Sequence, residues 1–163
     1  MIKKPERFVR FIITFALIFL LMACREASSV QDSQYYDFDS RGMIPNMEYI
    51  FYPFKDSLLT KSQQKFDIVV SLRYTDNCPL RDLPIDIEKA SLDNDSIISQ
   101  HCLIPLFDME GKISGKGNYG IYEAKKVLFR DAIYEEGYYI SISTPQQDTS
   151  GLLSIGVTLE KQI

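Results

Sequence analysis

The feature that most constrains this chain is a period of two in its apolar residues. In "FDIVVSLRYT", Phe66, Ile68, Val70, Leu72 and Tyr74 fall on one side, and Asp67, Ser71, Arg73 and Thr75 on the other together with Val69. "LLSIGVTLE" alternates Leu153, Ile155, Val157 and Leu159 with Ser154, Gly156, Thr158 and Glu160. "GYYISIS" sets Tyr138, Ile140 and Ile142 against Tyr139, Ser141 and Ser143. Successive strand side chains point to opposite faces, so these runs bury one face when extended. "LPIDIE", "SIISQHCLIPLF", "EYIFYPF" and "QYYDFD" read as further strands, with Pro84 marking an edge or a strand start. Turn signals such as "TDNCP", "LDNDS", "DMEGK" and "QQDTSG" lie between them. Many short strands with short polar connections predict an all-β domain: an antiparallel two-sheet β-sandwich of about eight strands. "YEAKKVLFRDA", Tyr122 to Ala132, stays open between helix and strand, because Val127, Leu128 and Phe129 are consecutive.

The N-terminus has a different grammar. "MIKKPERFVR" is basic, and "FIITFALIFLLMA" follows as an apolar run broken only by Thr14. The run is shorter than the ~20 residues that span a bilayer comfortably. It ends in "LMAC", a small residue before Cys24, which resembles a bacterial lipoprotein signal. The resemblance implies cleavage before Cys24 and acylation of its thiol and new amino group. Two or three acyl chains anchor a protein stably where one holds it marginally. The alternatives are a transmembrane anchor and an ordinary secretory signal. The chain thus divides into a signal peptide (1–23), a lipidated cysteine with a flexible polar tether (24–34) and a single β-sandwich domain (35–163). "REASSVQDSQ" after Cys24 is not acid-rich. Surface-exported lipoproteins of the Bacteroidota often carry acidic residues there, so this resemblance points to a membrane-anchored, periplasm-facing protein of the cell envelope.

Charge narrows the partners. The chain has a net charge of −4. Removing residues 1–23 leaves 14 basic against 21 acidic residues. Such a domain, without a basic stripe, is a poor nucleic-acid binder and is repelled by anionic membrane surfaces. Lipid must then do the anchoring. Besides Cys24 there are Cys78 and Cys102, which could form a disulfide in an oxidising compartment or remain separate thiols. The single histidine, His101, neighbours Cys102 in sequence, but adjacent strand residues face opposite ways. No metal set follows from them.

"GKGNYG", Gly115 to Gly120, spells G-x-G-x-x-G. That fingerprint binds a dinucleotide only between a parallel strand and a helix whose N-terminus meets the pyrophosphate. Here alternating strands follow, and no acidic residue stands about 20 residues on. "GKISGKG" is one residue short of a phosphate loop and has Gly117 where a magnesium-binding hydroxyl belongs. The expected role is a connection between strands, without nucleotide or other cofactor. No serine sits in G-x-S-x-G. Asp93 with Asp95 and Glu135 with Glu136 suit solvated turns better than a catalytic pair. Tyr138 has core spacing; Tyr35, Tyr36, Tyr49, Tyr52, Tyr119 and Tyr122 are candidates for an exposed sugar-binding surface.

Three segments resemble the gliding-motility lipoprotein H (GldH) family of the Bacteroidota. In "LRYTDNCPLRDLPIDIE", Arg73, Thr75, Pro79 and Leu83 match a strand, a proline-centred turn and a second strand. In "LFDMEGKISGKGNYGIYE", Asp108, Gly111, Gly115 and Gly117 match a glycine-rich connection. "EEGYYISIS", with Gly137 and Tyr138, and "LLSIGVTLEK" match two closing strands. The resemblance implies structural roles for these residues. It also implies a non-enzymatic accessory lipoprotein of gliding motility and type 9 secretion, held to the membrane by lipid and touching other envelope proteins. The alternative is a glycan- or peptide-binding sandwich at the envelope.

Overall fold

The computed structural model describes residues 30–53, 65–91, 97–133 and 138–161. All regular structure among them is strand: β1 (Val30–Asp37), β2 (Tyr49–Phe51), β3 (Lys65–Thr75), β4 (Asp82–Ser91), β5 (Ile97–Pro105), β6 (Lys116–Asn118), β7 (Ile121–Ile133), β8 (Tyr138–Ser143) and β9 (Leu152–Lys161). They form two antiparallel sheets, ordered β1-β9-β3-β7-β6 and β2-β8-β4-β5. The fold is the expected two-sheet β-sandwich.

The alternating residues supply the core. Phe66, Ile68, Val70 and Leu72 of β3 and Ile155 of β9 face Leu83, Ile85, Ile87, Ile140 and Ile142 of the other sheet, all without exposed surface. Each such side chain contributes roughly 1.5–3 kcal/mol by leaving water. β9 lies between β1 and β3, and its outer residues Ser154 and Thr158 are buried as well. Gly156 pairs with Tyr35, and a Cβ there would come 2.3 Å from the Tyr35 ring. The aromatic ring lies across a bare glycine and roofs that part of the outer face.

Three departures from the expectation have local causes. β1 begins at Val30, within the stretch assigned to the tether and ahead of the boundary at residue 35. Its residues 31–34 are polar, as an edge strand allows when it is held by backbone pairing to β9, which continues through Val30. Tyr122 to Ala132 is strand. Val69 pairs with Val127 and Ile68 with Phe129, leaving Leu128 as an inserted residue. This bulge breaks the period of two and explains the three consecutive apolar residues. The ninth strand is β6, three exposed residues too short to leave a pattern.

Both flanks of the sandwich are closed by side chains. On one, the Gln34 amide donates to Tyr52 O (2.7 Å) and accepts from Tyr52 N–H (2.8 Å), while Tyr36 Oη donates to Ile50 O (2.9 Å). On the other, Lys126 Nζ donates to Leu103 O across the sheets at 2.9 Å. Facing side chains thus satisfy edge carbonyls that strand pairing leaves open.

Candidate functional site

Register fixes the two ends of the molecule. Asp37 pairs with Ser154, Tyr74 with Leu152 and Asp82 with Pro105 at one end, whereas Val30 pairs with Glu160 at the other. The first end collects residues 38–48, 76–81, 106–115, 119–120 and 144–151, all described. It holds Pro79, Asp108, Gly111 and Gly115 of the residues singled out by the family resemblance, and Thr75 ends the strand that leads into it.

Hydrogen bonds knit these connections together. Tyr74, fully buried at the end of β3, donates from Oη to Leu106 O (2.7 Å) and accepts from Gly115 N–H (2.9 Å). Burial pushes its hydroxyl above its ordinary pKa, with the Gly115 N–H opposing. Thr75 N–H donates to Gly151 O, and Leu106 and Phe107 N–H both donate to Arg81 O. Thr149 Oγ1 donates to Met43 O at 2.7 Å, and Thr144 Oγ1 to Pro84 O at 2.7 Å. Pro84 precedes the part of β4 that β8 covers, which starts at Asp86.

The family-motif residues have structural places here. Arg73 lies on the outer face of its sheet, 3.6 Å from Glu123 Oε1 and 5.2 Å above the Tyr35 ring. Leu83 is core. Asp108 Oδ1 accepts from the N–H groups of Glu110 and Lys112, both at 2.8 Å, and so shapes the turn that Gly111 closes with φ 78. Tyr138 is buried, with Lys89 Nζ 4.3 Å from its ring centroid. Cys24, Gly137, Asp93, Asp95, Glu135 and Glu136 lie outside the described residues.

"GKGNYG" is a β-hairpin. Gly117 belongs to β6 rather than to a loop, a correction to the expected connection; Asn118 pairs with Ile121. Between them Tyr119 (φ 52) and Gly120 (φ 79) make a two-residue turn with two positive φ angles, the type that matches strand twist. A Cβ on Gly117 would stand 2.1 Å from Ile121 O, so only glycine fits this close strand pair. A helix N-terminus is absent from the segment, which is occupied by β6 and β7.

Cys78 and Cys102 are free thiols rather than the disulfide that the sequence allows. Cys78 lies in the turn after β3; Cys102 is half-buried on β5, beside Ile85 of β4. Burial pushes both thiols up, with Lys126 partly opposing at Cys102.

The chemistry available elsewhere is limited by geometry. His101 Nδ1 lies 2.8 Å from Asp86 Oδ1 on an exposed face, and Ser143 pairs with Asp86 from the opposite side. Asp86 occupies the middle of that row, where a relay needs the imidazole. Ser143 and His101 are therefore two strand spacings, roughly 10 Å, apart. No group of three metal-ligating side chains occurs among the described residues. Of the six candidate tyrosines, Tyr35, Tyr36, Tyr52 and Tyr119 are exposed, whereas Tyr49 is buried and Tyr122 half-buried. Their ring contacts are edge-on or tilted: Tyr36 meets Phe51 at 82° and Tyr52 meets Tyr139 at 54°.

One cavity at the loop end has about 330 Å³ of space and includes Cys78, Pro79, Leu80, Phe107 and Met109 in its walls, with Asp76 and Asp108 among its polar groups. Sequence reasoning places Tyr74 on the core face of its strand but does not reveal its hydroxyl bonds, and it does not single out Asp76 or Met109. The one available signal was position, since each sits at or just beyond a strand end.

No family model and no curated protein matches the chain. Among solved structures it is similar to Eiger TNF from S. frugiperda, with 10% identity, a TM-score of 0.34, and coverage of 83% of this chain and 87% of that one. A likeness so distant carries no functional argument.

Proposed function

We propose that this chain is a non-enzymatic lipoprotein of the cell envelope resembling GldH. It is anchored through lipid on Cys24, faces the periplasm and acts by protein–protein contact as an accessory component of gliding motility and type 9 secretion. The supporting observation is convergence. Pro79 and Asp108, from two separate segments of the resemblance, line one cavity, and Thr75, Gly111 and Gly115 lie in the same knitted end. Shared use of one surface is what a contact role asks of segments distant in sequence. The exposed row of Ser143, Asp86 and His101 lacks both the order and the enclosure that hydrolysis needs. Glycan binding, the alternative, calls for coplanar exposed rings, and the tilted pairs of Tyr36 and Tyr52 do not favour it.

Affinity purification of the tagged full chain from solubilised envelopes tests the reading. Co-recovery of secretion or motility components is the expected result. Recovery of none, together with retention on a glycan column, would replace it with the glycan-binding alternative.

A further inference from the structure

We infer that the cavity between the β3–β4 turn and the β5–β6 loop receives a lysine or arginine side chain presented by a protein partner. Its methylene stem lies against the apolar walls and its cation meets Asp76. This deepens the contact reading above and rests on it.

Size, lining and charge agree on this occupant. About 330 Å³ is at the small end of the range for small-molecule clefts and ample for one extended side chain. Pro79, Leu80, Phe107 and the fully exposed Met109 give a long apolar contact. Long basic side chains bury such stems while keeping the cation at a polar rim. The cations of this end are already matched: Arg81 Nε lies 2.8 Å from Asp82, Lys112 Nζ 2.5 Å from Glu110, and Arg41 2.7 Å from Asp39. Asp76 has neither an ion pair nor a side-chain hydrogen bond among the described residues. Asp108 adds a second carboxylate, and Asp148 is close enough to Cys78 to raise its thiol pKa. Arg81 also lines the cavity, but its guanidinium is paired with Asp82, so Asp76 and Asp108 leave a negative balance that disfavours an anionic ligand, and a bare metal ion lacks a third ligating group. Gly120 lies beside the Asp76 carboxylate with no side chain to cover it, a Cβ there standing 3.7 Å from Oδ2. Tyr74, Arg81 O and Gly151 O hold the surrounding loops, so the cavity is formed before the partner arrives.

The test is an amide-shift titration of the labelled full chain in neutral detergent with acetyl-Gly-Lys-Gly-amide and acetyl-Gly-Arg-Gly-amide. The same peptide with norleucine is the control. Saturable shifts are expected at Asp76 to Arg81, Phe107 to Gly111 and Gly120, and none with norleucine. Asp76→Asn, which breaks no contact of the fold, should weaken binding about twofold to fivefold, as expected for a partly exposed ion pair. Met109→Ala should weaken it independently. Shifts centred elsewhere, equal binding by norleucine, unchanged affinity in Asp76→Asn, or no saturable shift would each overturn the inference. The purification separates the two levels. Equal partner recovery by wild type and Asp76→Asn rejects this cavity and leaves the contact reading standing. If the wild type recovers nothing, the contact reading fails and the peptide titration alone decides the cavity.

Discussion

At the scale of single residues, Tyr74 has the most demanding position. Its place in the period of two identified it as core, and that was correct. The pattern could not show that its hydroxyl joins Leu106 O to Gly115 N–H, because both partners are more than 30 positions away. Tyr74→Phe keeps the ring and strands both groups, so a loss of about 1–3 kcal/mol is expected in urea unfolding. Faster hydrogen exchange at Gly115 should accompany it. Tyr74 and Cys78 also give the fold a pH dependence. Burial raises both groups above their ordinary values of 10.0 and 9.0, so the folded state keeps protons that the unfolded chain releases. Their contribution is present below the ordinary values and is lost as pH rises from those values through the raised folded ones. The unfolding midpoint should therefore fall on going from pH 8 to above pH 10. The fall should be shallower in Tyr74→Phe and in Cys78→Ser, and an identical slope in all three proteins would contradict the assignment. Glycine positions were legible as turn formers but not as close contacts: Gly117 is required by the approach of Ile121 O, which only the paired strand reveals.

Among elements, legibility followed burial. β3, β4, β8 and β9 each press one face on the core, so their alternation is plain in the sequence, except at the start of β9, where a register shift against Arg73 and Tyr74 makes Leu152 the core residue in place of the expected Leu153. β1 and β6 lie at sheet edges and are held by backbone pairing, which leaves little trace in side-chain type. β7 is long and amphipathic, but its bulge at Leu128 shifts the phase midway and produced the ambiguity with a helix. The flank contacts were invisible for another reason: they join side chains to backbone carbonyls, which every residue has. Gln34→Ala tests what they contribute. Losing both bonds to Tyr52 should cost about 1–2 kcal/mol and speed exchange of the Tyr52 amide. The open edge of β2 should also make the variant more prone to association through strand pairing. Unchanged stability and unchanged association would show that the flank is closed by packing of Tyr36 against Phe51 instead.

For the whole molecule, the important relation is between the tether end and the loop end. Val30 and the start of β1 lie opposite the cavity, because β1 runs antiparallel to β9 and ends beside Ser154. With lipid on Cys24, as proposed, six residues reach from the anchor to β1, about 20 Å when extended. The sandwich then stays near the membrane with its loop end pointing away from it, where a partner carrying a basic side chain can approach. Residues 24–163 are acidic, so anionic lipid gives them no attraction of their own, and in the proposed arrangement the acyl chains supply the retention. Cys24→Ser removes the acylated thiol and tests the arrangement directly. The variant should leave the membrane fraction after a high-salt wash, provided an independent cleavage releases residues 1–23, whereas the wild-type chain should stay. Two controls make the result decisive: the mass of the N-terminal peptide reports whether the signal was removed, and urea unfolding reports whether the sandwich is intact. A processed, folded Cys24→Ser chain that still sediments with membranes would assign retention to a protein contact and remove the lipid anchor from the proposal.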